Sequence, residues 1–120
     1  MIRDCAIDSA PTVLVAEGDP LVRRTTARLL GLLGYHAAEA EDGPDALRLL
    51  TEQADVALLL TDAHELVHLA HELRPGSPAV LTDGFAGADA LAGLPPGTVC
   101  LSKPYGGTDL ARALRQVLDA

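Results

Sequence analysis

Residues 55–62 read Asp-Val-Ala-Leu-Leu-Leu-Thr-Asp, an unbroken apolar run that ends abruptly at a carboxylate. Such a run is too short for a helix of its own and reads as a strand buried on both faces. Strands of that kind belong in parallel sheets covered by helices. Asp62 then falls at the carboxyl end of the strand, on the rim where open α/β sheets hold their ligands. What the chain does turns on what Asp62 can do there.

The rest of the chain repeats the pattern. Residues 1–11 carry no periodicity and read as a leader without the apolar segment of a secretory signal. Thr12–Ala16 is a first buried strand, and Asp19-Pro20 is an N-cap with proline at the first helical position. The helix it starts runs to about Leu33, with Leu21, Val22, Leu29, Leu30, Leu32 and Leu33 as its apolar face, and Gly34 closes it. Tyr35–Ala40 is a second strand. A helix over Asp45–Gln53 follows, with Ala54 continuing its apolar spacing. After the strand at 55–62, a helix spans Ala63–Arg74 and stops at Pro75-Gly76. Pro78–Thr82 is a fourth strand, and Asp83-Gly84 reads as a turn. The segment 85–93 forms at most a short helix, Thr98–Ser102 is a fifth strand, and a final amphipathic helix carries Leu110, Leu114, Val117 and Leu118. Strand and helix in alternation, with short connections, predict a doubly wound five-stranded parallel sheet in one domain over 12–120.

Composition limits the partners. With 48% hydrophobic residues but one Phe, two Tyr and no Trp, the core must be aliphatic. A net charge of −8 opposes nucleic acid and anionic membranes as partners. The two cysteines have neither disulfide-framework nor metal-knuckle spacing, no run is long enough to span a membrane, and the expected location is the cytoplasm.

A parallel sheet gathers its strand ends on one rim, here Glu17 and Asp19, Asp62, Thr82 with Asp83, and Lys103. Carboxylates suit a hard cation such as Mg²⁺. An aspartate can take a phosphoryl group as a nucleophile, and a lysine and a hydroxyl can hold the transferred oxygens. Simpler roles are available for each. Asp62 can cap the next helix with Glu65 in a capping box, Lys103 can be a surface lysine or an ion-pair partner of Asp62, and Glu17 can be solvated. His64, His68 and His71 fall on one helical stripe, opposite Leu66, Leu69, Ala70 and Leu73; the stripe is a polar face or a zinc-binding one. A flavodoxin-like cofactor binder finds no Gly-rich phosphate loop after the first strand.

From Thr12 to Ala120 the chain resembles the receiver domain of two-component response regulators. The resemblance rests on Val13–Pro20, Glu41-Asp42-Gly43, Leu58–Asp62, Leu81-Thr82 and Lys103-Pro104-Tyr105. It implies a flavodoxin-like (βα)5 fold with strand order 2-1-3-4-5, and a signalling acceptor rather than an enzyme. By position, Asp62 corresponds to the phosphoacceptor, Thr82 to the switch hydroxyl and Lys103 to the phosphate-contacting lysine. Mg²⁺ is implied on Glu17 and Asp62; Gly18 stands where the family has its direct metal ligand, and Asp19, one position on, is a possible substitute. Cys100 takes the aromatic switch position, and the loop after the phosphoacceptor is shortened to Ala63. The implied function is that of a stand-alone receiver, phosphorylated on Asp62 by a histidine kinase or phosphotransfer protein and signalling to a downstream protein by contact. The alternative is a degenerate receiver, an interaction module independent of phosphorylation.

Overall fold

The computed structural model describes residues 10–83 and 93–118, so Gly84, all of the segment 85–93 but its last residue, and most of the leader lie outside the described residues. Five strands form one sheet: β1 (Thr12–Ala16), β2 (His36–Ala40), β3 (Val56–Thr61), β4 (Ala79–Asp83) and β5 (Thr98–Ser102). The order is β2-β1-β3-β4-β5 and every pairing is parallel, the arrangement expected from the sequence. Four helices are described: α1 (Pro20–Leu32), α2 (Gly43–Glu52), α3 (His64–Leu73) and α4 (Gly107–Leu118).

The apolar runs work because successive strand side chains point to opposite faces. Leu14, Ala16, Leu59 and Leu81 face α2 and α3, where Ala46, Leu50, Leu66 and Val67 meet them. Val13, Val15, Leu58, Leu60 and Val80 face the other way, against Leu30 of α1 and Leu110 and Leu114 of α4. One strand such as β3 therefore feeds two cores, which a run of alternating polarity could not do. β2 lies at the sheet edge and is mostly exposed.

Two helix faces differ from expectation. In α1 only Thr26 and Leu30 are buried, while Leu21 is 75% and Leu32 79% exposed. At 3.6 residues per turn, Leu21 and Leu32 lie about 140–160° around the helix from the midpoint of Thr26 and Leu30, so they cannot reach the sheet. In α3 the inward residues are Leu66, Val67 and Ala70, and Leu69 and Leu73 face out. These two line, with Leu47 of α2, a cleft of about 550 Å³ between the helices. Ala54 falls beyond the end of α2 and is exposed.

One residue that the sequence did not single out fastens α2 to β3. The Arg74 guanidinium donates to the carbonyls of Val56 at 2.7 Å and Leu50 at 2.6 Å, and to that of Gln53. Leu50 and Gln53 belong to the end of α2, where helix carbonyls lack intrahelical donors and a cation is favoured by the helix dipole.

Candidate functional site

Strand register builds the site. Ala16 pairs with Thr61, Thr61 with Leu81, and Thr82 with Leu101. The next row beyond the first pair is therefore Glu17, Asp62 and Thr82, side by side on three central strands. Ser102 pairs with Asp83, one row further out, so Lys103 begins above this row and its long side chain reaches back across it.

Lys103 Nζ lies 3.0 Å from Glu17 Oε2 and 3.3 Å from Asp62 Oδ2. Partial burial of the ammonium pulls its pKa down, but the hydrogen bonds and charges of Glu17 and Asp62 outweigh this and hold it above the ordinary lysine value. The two acids differ in setting. The Glu17 side chain is only 7% exposed, whereas that of Asp62 is 40% exposed and open to an incoming group.

Asp62 does not cap α3. The N-cap of that helix is Ala63, with no side-chain cap bond. Thr61 Oγ1 instead accepts from the Ala63 N–H at 3.2 Å. Thr61 and Asp62 alternate in direction along the strand, which leaves Asp62 to turn toward Lys103 and away from the helix start. Asp19 does cap its helix: Oδ1 accepts from the N–H groups of Leu21 at 2.9 Å and Val22 at 3.4 Å. Thr82 is fully buried, and its Oγ1 has no hydrogen-bond partner among the described residues. Cys100 is half-buried against the α2–α3 side of the core.

Three supporting residues were not legible in the sequence. Arg23 Nη1 donates to the Glu17 carbonyl at 2.8 Å, and its Nε lies 3.4 Å from Glu39 Oε1. The available signal was its place one turn past the N-cap, since helical side chains lean back toward the N-terminus. Tyr105 Oη and Thr26 Oγ1 are 2.6 Å apart, tying the β5–α4 connection to α1. Burial raises the Tyr105 pKa, and the Thr26 bond and the Lys103 charge only partly counter this. The peptide bond between Lys103 and Pro104 is cis.

The donor set does not fit Mg²⁺ well. No group of three or more acidic, histidine or cysteine side chains suited to a metal occurs among the described residues. The Oε1 of Glu17 accepts from the Asp19 N–H at 3.3 Å and its Oε2 faces Lys103. Asp19 is committed to its helix. A divalent ion about 4 Å from the Lys103 ammonium would be repelled by ~8 kcal/mol at an effective dielectric constant of about 20. The histidine stripe of α3 likewise forms no metal-suited cluster among the described residues, and His71 Nδ1 is buried with no partner among them.

Comparison with known proteins bears on this arrangement. The response regulator receiver protein CpdR of Brucella abortus (strain 2308) is 31% identical over 117 residues, spanning 90% of this chain and 97% of that protein. The chain belongs to the response regulator receiver family. No protein-family model matches this receiver. Its fold is also that of two solved receivers. The signal receiver domain of an HD domain-containing protein from Pseudomonas fluorescens Pf-5 superposes with a TM-score of 0.80 at 26% identity, over 92% of this chain and 95% of that one. A response regulator receiver protein from Sinorhizobium medicae WSM419 gives a TM-score of 0.82 at 24% identity, over 92% and 96%. No helix among the described residues of the receiver is long and apolar enough to cross a membrane.

Proposed function

We propose that this receiver takes a phosphoryl group onto Asp62 from a phosphohistidine of a histidine kinase or phosphotransfer protein, in the cytoplasm, and signals by protein contact. The observation that carries this is the placement of Asp62: an open carboxylate at the end of β3 with a lysine ammonium 3.3 Å away. An Asp62 oxygen attacks phosphorus, the P–N bond breaks, and its electron pair leaves with the donor imidazole nitrogen. Lys103 faces the charge that collects on the phosphoryl oxygens. Thr82, in the same row and with a buried hydroxyl that has no partner among the described residues, is the group to receive one of those oxygens. A buried donor without a partner costs about 1–3 kcal/mol, which a phosphoryl oxygen would relieve.

The donor protein has a surface to approach. An apolar groove of about 530 Å³ runs between Leu21, Val22 and Leu29 of α1 and Pro104 and Tyr105, and it shares Lys103 with the site. Such a contact would cover Leu21, which is exposed on α1.

The second reading, a phosphorylation-independent interaction module, is favoured by Gly18, by Cys100 and by the shortened connection at Ala63. Intact mass after incubation with a small-molecule phosphodonor, beside Asp62→Asn, separates the two. One added phosphoryl group in the parent protein alone supports the acceptor. None in either, with both folded, supports the module.

A further inference from the structure

Four residues of this pocket have oxygen donors in the sequence or stand where one is expected, yet few donors are free. Glu17 uses both carboxylate oxygens, one on the Asp19 N–H and one on Lys103. Asp19 is spent on the start of α1. Gly18 has no side chain, and Asp62 turns an oxygen to the same ammonium as Glu17. We infer that the Lys103 ammonium is the resident counter-ion of this pocket, bridging Glu17 and Asp62 in the place of a divalent cation, so that the pocket receives an anionic group without a metal.

The physical basis is competition for the same oxygens. A hard cation bonds carboxylate oxygens at about 2.0–2.1 Å, and here the oxygens turned toward the centre of the pocket already face a fixed positive charge. Binding a metal means expelling Lys103 from two ion pairs, one of them to a carboxylate that is nearly buried. Gly18 is the missing determinant. A Cβ built there meets nothing within 4 Å, and its backbone is not among the positive-φ glycines. The Cβ of an aspartate at that position is therefore unobstructed, and its carboxylate is the further donor that a cation would need.

The claim about the cation stands on the ion-pair geometry; its extension to phosphoryl arrival rests on the reading of Asp62 as acceptor. The test uses the full chain and Mn²⁺, counted by the electron paramagnetic resonance of the free ion. The expected result is that Gly18→Asp takes up one equivalent about tenfold or more tightly than the parent, and that Lys103→Gln, with two freed carboxylates, also binds more tightly than the parent. Uptake by the parent as tight as by Gly18→Asp overturns the inference, and so does a failure of Gly18→Asp to gain affinity. Phosphodonor labelling is then compared in chelator and in Mg²⁺. Equal labelling supports the inference, and labelling that needs Mg²⁺ overturns it. No labelling in either condition ends the phosphoacceptor reading, and the ion count then decides the inference alone.

Discussion

Lys103 lies closer to Glu17, at 3.0 Å, than to Asp62, at 3.3 Å. The lysine is thus anchored on the buried acid and shared with the open one. Glu17 is the buried partner of the ammonium, and Asp62 is the solvent-facing one.

Removing the lysine exposes this dependence. Lys103→Met leaves the Glu17 carboxylate buried and without its cation, and is expected to destabilise the protein by ~1–2 kcal/mol, discounted for the partial exposure of Lys103. Glu17→Gln in the Lys103→Met background should recover part of the loss. Urea denaturation of the four proteins measures the coupling, and additive effects would count against it.

Alkaline pH should act through two groups. Lys103 and Tyr105 both have folded-state pKa values raised above their ordinary ones. Each contributes stability that is complete below its unfolded value, about 10.4 for lysine and 10 for tyrosine, and is lost as pH rises through the folded value. Stability is therefore expected to fall above about pH 10, less steeply in Lys103→Gln and in Tyr105→Phe. Denaturation midpoints across pH 8–11.5 or so check this.

The Thr26–Tyr105 bond is worth about 1 kcal/mol. Tyr105→Phe and Thr26→Val should each lose about that much, and the double variant little more than either. Full additivity in thermal or urea unfolding would show that the 2.6 Å contact is not what holds the β5–α4 connection to α1.

Arg74→Met removes a donor from three carbonyls, of which that of Gln53 keeps the Val56 N–H at 3.4 Å, and should cost ~2–3 kcal/mol. Arg74→Lys restores the charge but not the fork, so it should recover less than half. Recovery near the parent midpoint would mean charge alone suffices.

Glycines give the contrasting case. Gly18→Ala, in open space and without a left-handed backbone, should stabilise by about 0.4–1 kcal/mol. Gly34, with φ of +96°, should lose about 1 kcal/mol or more on the same change. Thermal unfolding that moved both the same way would contradict the backbone argument.

The chain itself determined the sheet, its order of elements and the rim on which Glu17, Asp62, Thr82 and Lys103 collect. Those follow from local properties: apolar runs of strand length, caps such as Asp19-Pro20, and breaks at Gly34 and Pro75-Gly76. What each carboxylate touches was decided only in three dimensions. Asp62 had two local uses, as a helix cap or as a rim acid, and strand register gave it Lys103, 41 residues away. Glu17 meets the same lysine across 86 residues, and Thr26 meets Tyr105 across 79. The leucines of α1 and α3 show the same division. Helical spacing says that an apolar face exists, but the arc that a flat sheet can cover is narrower than the leucines present, so Leu21, Leu32, Leu69 and Leu73 are left outside. Periodicity is a property of neighbours along the chain, whereas a charge pair or a buried arc depends on which strands lie side by side.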